Sequence, residues 1–141
     1  MRFPDKCFDI VVSNSTLHHL DLEIALQEIA RVLVDEGMLL AFEPNRTNPA
    51  VSRMHWTSEL RRRFDLTPYE EAFGKRRITR HLRRHFLDVT VRNFDFWHPS
   101  LGCSEKRPLL HQVLLRLELV PLIRALSGSL WIVARRPAAS D

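Results

Sequence analysis

Ile10-Val11-Val12 is an unbroken apolar run that ends abruptly in the small polar residues Ser13, Asn14, Ser15 and Thr16. A run without alternation is the pattern of a strand covered on both faces in a parallel sheet. Asp21 is then placed to cap a helix, and Leu22, Leu26, Ile29 and Leu33 follow at spacings that share one helical face. Glu23 in the first turn and Arg31 near the last both suit the helix dipole. Asp35-Glu36-Gly37 reads as a turn, with Gly37 free to take positive φ. "MLLAFEP" is a second continuous apolar run, stopped at Pro44. The pattern predicts strand 8–13, helix 22–33 and strand 38–43. A connection of this length between buried strands is a right-handed crossover in a parallel sheet.

Beyond Pro44 the pattern is looser. "NRTNPAVSRMHWTSELRRRFDL" predicts a loop running into a helix with Met54, Leu60 and Phe64 inward. In "ITRHLRRHF" Ile78, Leu82 and Phe86 recur every four residues on a short basic helix. "DVTVRNFDFW" alternates as a strand over 88–96, and the change of phase from Val89 and Val91 to Phe94 and Phe96 predicts a bulge or bend. Residues 99–107 form a loop. The segment 109–126 predicts a helix broken at Pro121, whose apolar side could touch a membrane or an apolar substrate and is expected to pack as a lid over the sheet, and "GSLWIVARRP" predicts a last strand at 129–134. That strand is expected to run antiparallel between 38–43 and 88–96.

Composition narrows the class. The 141 residues suffice for one domain, and 45% apolar with 27% charged residues describes a globular chain. A net charge of +4 permits nucleic-acid contact without implying it. Arg61-Arg62-Arg63, "GKRR" and "RHLRRH" could form a basic stripe, but Glu59, Asp65, Glu70 and Glu71 are interleaved, so a solvated helix face is the reading and no nucleic acid is expected. Cys7 and Cys103 are too few for a disulfide framework, and a reducing cytoplasm is the simpler compartment. Arg2, Asp5, Lys6 and Asp9 interrupt any signal-peptide pattern, and no window supplies the roughly 20 apolar residues of a membrane span.

Ligands of an open α/β sheet bind outside the carboxyl ends of its strands. Those ends are Ser13-Asn14-Ser15-Thr16 and Glu43-Pro44-Asn45, whose small hydroxyl and amide groups offer hydrogen bonds at close approach. Ser13 and Asn14 could equally just turn the chain. His18 and His19 are open to helix-entry packing or to a ligand role. His81 and His85 are spaced as a metal pair, but the intervening Leu-Arg-Arg and the lack of a third ligand argue for no metal.

The residues "MRFPDKCFDIVVSNSTLHHLDLEIALQEIARVLVDEGMLLAFEPN" resemble the second half of a class I S-adenosylmethionine (SAM)-dependent methyltransferase of the type 11 kind. The family's pattern runs through an acidic "FD-x-V" strand, "LHH", an acidic-start helix ending "E-x-x-RVL", a Gly turn and a strand closing "E-P". The resemblance returns at 76–97 and 128–137. It implies a Rossmann-like α/β fold: a single, partial domain with a mixed sheet of about four strands and flanking helices. Its core is 1–45, its substrate-side insertions are 46–75 and 98–126, and its carboxyl-terminal helix and strands are 76–97 and 128–137.

The same resemblance implies SAM as cofactor and a small-molecule methyl acceptor, with methyl transfer achieved mainly by positioning. It places Phe3 beside the adenine and Ser13, Asn14, Ser15 and Leu17 against the methionine and methyl end. His18, Glu43 and Asn45 would face the substrate, and no catalytic residue is assigned. The chain has no G-x-G pattern, so the family's Gly-rich loop would precede residue 1, and the sequence reads as a truncated carboxyl-terminal half. The isolated chain is therefore expected not to bind SAM. Its strand 8–13 should present an open edge, for an amino-terminal methyltransferase partner chain or for self-association. The alternative function is an inactive remnant that binds through that edge.

Overall fold

The computed structural model describes residues 2–56, 62, 72–95, 108–117 and 119–139. Its strands are β1 (Phe8–Asn14), β2 (Leu33–Pro44), β3 (Asp88–Phe94) and β4 (Ser129–Arg135). They form one mixed sheet in the order β1-β2-β4-β3, with β1 parallel to β2 and β4 antiparallel to both neighbours. The predicted order, with the last strand between the second and third, is the order observed. The helices are α1 (Leu22–Val32), α2 (Pro49–Trp56), α3 (Lys75–Leu82), α4 (Pro108–Leu117) and α5 (Pro121–Arg124).

α1 forms where its signals put it. The Asp21 carboxylate accepts the N–H groups of Glu23 and Ile24, both at 3.1 Å, satisfying donors that the first turn leaves open. Leu26, Ile29 and Val32 are buried on one stripe, and Leu33 takes an extended conformation that ends the helix. Ile78 and Leu82 of α3 and Phe86 just beyond it are also buried, which completes the layer on this side of the sheet. The sheet's contribution is read from its register. Ser13, Ala41, Ile132 and Val91 are successive partners across the four strands, and all are buried.

The opposite face differs from the doubly covered strand that the apolar run by itself suggests. Val12, Leu40, Val133 and Thr90 are the partners one step along the register, and Val12 is 67% exposed, with Ile10 exposed beside it. The run at 10–12 is thus covered on one face only, because no described helix packs on the other. Val11 points into the core cluster while Ile10 and Val12 point away from it.

Three further boundaries differ. The turn expected at 35–37 lies inside β2: pairing jumps from Phe8↔Leu33 to Ile10↔Met38, and residues 34–37 bulge out between the two paired stretches. Positive φ falls on Glu36 (62°) and not on Gly37. Gly37 is needed for another reason, since a Cβ there would stand 2.9 Å from the Val34 carbonyl oxygen and 3.1 Å from that of Asp9. No bulge lies within 88–94, where β3 pairs with β4 without interruption, and Asp95 just beyond takes a φ of 61°. Instead Val91 serves the core, while Phe94 meets Phe42 and Trp131 on the bare face, with ring centroids 5.7–6.0 Å apart in its two contacts. The helix at 109–126 does break at Pro121, but α4 and α5 bury no side chain, so they are not a packed lid. Leu60, Phe64, Phe96 and the loop 99–107 lie outside the described residues, as does Cys103; Cys7 is an exposed free thiol.

The open β1 edge carries a mutational consequence. Val12→Lys leaves the fold intact and reduces any self-association, measured by sedimentation velocity, because it charges an exposed edge position. Val11→Lys buries an unpaired ammonium and sharply lowers the thermal midpoint. Equal effects of the two substitutions would contradict the assignment of faces.

Candidate functional site

At the carboxyl end of β1 the chain turns within three residues. Ser13 points to the covered face, and its Oγ is a buried side-chain oxygen without a hydrogen-bond partner in the structure. Asn14 points the other way and is exposed. Ser15 adopts φ 49°, an uncommon conformation for a residue with a Cβ, and its N–H donates to the Phe42 carbonyl at 2.7 Å. Thr16 Oγ1 donates back to the Asn14 carbonyl at 2.9 Å.

The turn is held from the neighbouring strand. Glu43, 1% exposed near the end of β2, accepts the N–H of Thr16 at 3.2 Å and of Leu17 at 2.9 Å on Oε1. Its Oε2 accepts the N–H of His18 at 3.3 Å and lies 2.8 Å from His18 Nδ1. A buried carboxylate is tolerable only with such a set of donors. Asn45, fully buried, braces the chain in the same way just beyond the strand. Its amide donates to the carbonyls of Ala125 (3.2 Å) and Ser127 (2.7 Å), and its Oδ1 accepts from the Thr47 N–H (3.0 Å) and hydroxyl.

The expected site residues therefore separate. Ser13, Asn14 and Ser15 lie together at the strand end. Leu17 is in the same loop, but its side chain is buried in the core cluster. His18, Glu43 and Asn45 lie at the same end of the sheet, with their polar groups engaged in internal bonds. Phe3 lies apart from this group: its ring packs edge-on against Phe8 at the start of β1, and its carbonyl accepts from Arg31 in the last turn of α1. That is the opposite end of the strand from Asn14.

A second cluster is not evident from the sequence. Glu23 receives His81 Nδ1 at 2.9 Å, His85 Nε2 at 2.9 Å and Arg84 Nη1 at 3.0 Å, tying the first turn of α1 to the end of α3. The histidines spaced as a metal pair thus share a carboxylate. Among the described residues no group of three or more His, Cys, Asp or Glu side chains is arranged to hold a metal. His81 and Glu23 also border a cleft of about 620 Å³ with His18, His19, Phe73 and Arg77. The spacing of His81 and His85 is a signal; their carboxylate partner, 58 and 62 residues away, is not.

The bonds from His81, His85 and Arg84, in that order of weight, hold the Glu23 carboxyl down to about 2 from an ordinary 4.5. A depressed carboxyl stabilises the fold above its unfolded value and loses that contribution as pH falls. Stability from this cluster should be intact above pH 4.5 and lost between 4.5 and about 2. Glu28 and Asp35 are also depressed, by Arg31 and Lys6 respectively, so the wild-type acid slope has several sources. Urea unfolding of Glu23→Gln should show a lower stability at neutral pH and a shallower slope in that acid window. An unchanged slope would remove Glu23 from the account.

Comparison with known proteins now bears on this geometry. Residues 1–41 match the model of a methyltransferase domain family. No curated protein matches the sequence significantly. Among solved structures, a SAM-dependent methyltransferase from Thermotoga maritima superposes with a TM-score of 0.66 at 18% identity, over 96% of this chain and 58% of its own. A phosphoethanolamine N-methyltransferase from Haemonchus contortus, solved with S-adenosylhomocysteine, gives 0.58 at 16% identity, over 96% of this chain and 35% of its own. The [4+2]-cyclase SpnF gives 0.59 at 18% identity, over 99% and 54%. The chain thus spans 58% of the Thermotoga protein's length. Residues 1–41 thus match a methyltransferase domain model, and the fold of nearly the whole chain is similar to that of solved SAM-dependent methyltransferases.

Proposed function

We propose that this chain takes part in SAM-dependent methyl transfer to a small-molecule acceptor in the cytoplasm, with the cofactor's methionine end against the carboxyl terminus of β1. The observation that carries the reading is the strand end itself. Ser13 there has a buried hydroxyl without a partner, an arrangement that a bound polar group would relieve. Asn14, the next residue, offers an exposed carboxamide from the other face of the strand, and the positive φ of Ser15 bends the chain beyond it.

SAM supplies an electrophilic methyl on a sulfonium centre, and the chemistry asks of the protein chiefly that donor and acceptor be held in line. Ser13 and Asn14 are the residues of this chain that would hold the cofactor. Glu43 acts through the loop: by fixing the amides of residues 16–18 it sets where Ser13 and Asn14 stand. His18 supports that loop through Nδ1, which is bonded to Glu43, and its ring borders the cleft with His19 and Phe73. The same fold in a [4+2]-cyclase shows that the sheet alone does not name a reaction.

A second reading rests on the open β1 edge, where exposed Ile10 and Val12 flank unpaired strand groups. It makes the chain a binding module for an amino-terminal methyltransferase half or for a second copy.

Calorimetric titration with S-adenosylhomocysteine, after an amino-terminal methyltransferase half has been restored to this chain, separates the two. Asn14→Ala should weaken binding roughly tenfold, the loss of about one hydrogen bond, with the thermal midpoint unchanged. Saturable binding that ignores Asn14 would place the cofactor elsewhere, and no binding at all would favour the module.

A further inference from the structure

His18 is a buried titratable side chain of which the loop uses only one nitrogen. Its Nδ1 lies 2.8 Å from Glu43 Oε2, and its side chain is 7% exposed. Two lone pairs at that distance would repel each other, so Nδ1 carries a proton and donates it to the carboxylate. The neutral ring then keeps its lone pair on Nε2, because the partner of one ring nitrogen decides the state of the other. Glu43 does not need a histidine cation as well, since it already accepts the N–H groups of Thr16, Leu17 and His18.

Nε2 is accessible. Among the described residues it has no hydrogen-bond partner, and the one buried side-chain nitrogen or oxygen left unbonded among them is Ser13 Oγ. Nε2 is therefore not buried, and the His18 ring lines the cleft of about 620 Å³. That volume suits a small molecule. The cleft lies between the start of α1 and α3, on the covered side of the sheet to which Ser13 points. Titratable and charged groups share it with His18 from each element around it. These are His19, with ring centroids 4.0 Å apart, Asp21 and Glu23 at the start of α1, and Arg77 and His81 on α3. A carboxylate fixed behind one imidazole nitrogen, with the other open to a cleft, is the arrangement of an oriented general base.

We propose that His18 is the general base of the methyl-transfer site and Glu43 its positioning residue, so that the acceptor is a small molecule carrying a hydroxyl or amine proton. His18 Nε2 takes that proton as the acceptor's electron pair bonds the methyl carbon. The S–CH3 pair stays on sulfur, and the imidazolium then passes the proton to water. Glu43 holds the ring in its Nδ1–H form and balances the imidazolium charge. The inference rests on the methyl-transfer reading, which by itself assigns no residue to the acceptor's proton.

para-Nitrophenol, a hydroxyl probe whose ionised form is yellow, tests the base on this chain without SAM. Titrated at mildly acidic pH into protein with isotope-labelled histidine, it should raise the phenolate absorbance saturably. In the same titration the His18 Nε2 resonance should move from its lone-pair position to its N–H position. His18→Asn puts an amide donor for Glu43 where Nδ1 stood and removes Nε2. It should keep the circular-dichroism spectrum and lose the phenolate signal. Glu43→Gln replaces the charge by an amide; it should shift the ring proton of the free protein from Nδ1 to Nε2 and reduce that signal. No phenolate with the wild-type protein, a full signal from His18→Asn, or a tautomer indifferent to Glu43→Gln overturns the proposal. A resonance that moves without phenolate makes His18 a binding contact only and also overturns it. These signals do not involve SAM, so their failure is distinct from a failure of S-adenosylhomocysteine binding by the restored protein, which bears on the methyl-transfer reading.

Discussion

One buried carboxylate fixes the loop that leaves the carboxyl end of β1. Glu43 sits near the end of β2 with almost no solvent contact, and its two oxygens collect three backbone N–H groups and a histidine nitrogen from the loop that leaves β1. Removing an ion of this size from water costs several kcal/mol, so the arrangement persists only because the loop supplies all the donors. The dependence is mutual. Without Glu43 the amides of Thr16, Leu17 and His18 would be stranded at a strand end. The positive φ of Ser15 would also lose the contacts that hold it in place. Asn45 repeats the device, bonding the carbonyls of Ala125 and Ser127 just ahead of β4. The exits of β1 and β2 and the entry to β4 are thus stitched by two side chains.

Much of the scaffold is legible because it rests on short-range periodicity. The strand, capped helix and second strand of residues 8–44 follow from Asp21, from Leu26 and Ile29, and from two apolar runs. Periodicity does not say which elements are available to cover a face. The run at Ile10–Val12 suggests double burial because composition records apolarity and not neighbours, and Val12 proves to be exposed. The shift from Val91 to Phe94 implies a bulge only if both residues serve one core. They serve opposite faces, Phe94 joining Phe42 and Trp131. Gly37 stands out in the sequence with good reason, but its role is clearance from the carbonyls of Val34 and Asp9.

For the proposed site, the sequence shows which residues end the strands more than which partners they bond. Small polar residues at a strand's carboxyl end mark a ligand position by general rule, and Ser13, Asn14 and Ser15 stand there together. The roles of Glu43, Asn45 and His18 are out of reach because their partners lie 25 to 82 residues away in sequence. Leu17 lies in the same loop, with its side chain in the core cluster. Phe3 belongs to the far end of β1, held there by Phe8 and Arg31.

Amide hydrogen exchange read at residues 16–18 tests the carboxylate clamp most directly. Loop amides next to an exposed strand end would ordinarily exchange almost freely. If Glu43 holds them, Leu17 and His18 should be protected to the level of the core strand β2, and Glu43→Ala, which removes both acceptor oxygens, should release them while β2 stays protected. Free exchange of Leu17 and His18 in the wild-type protein would contradict the account.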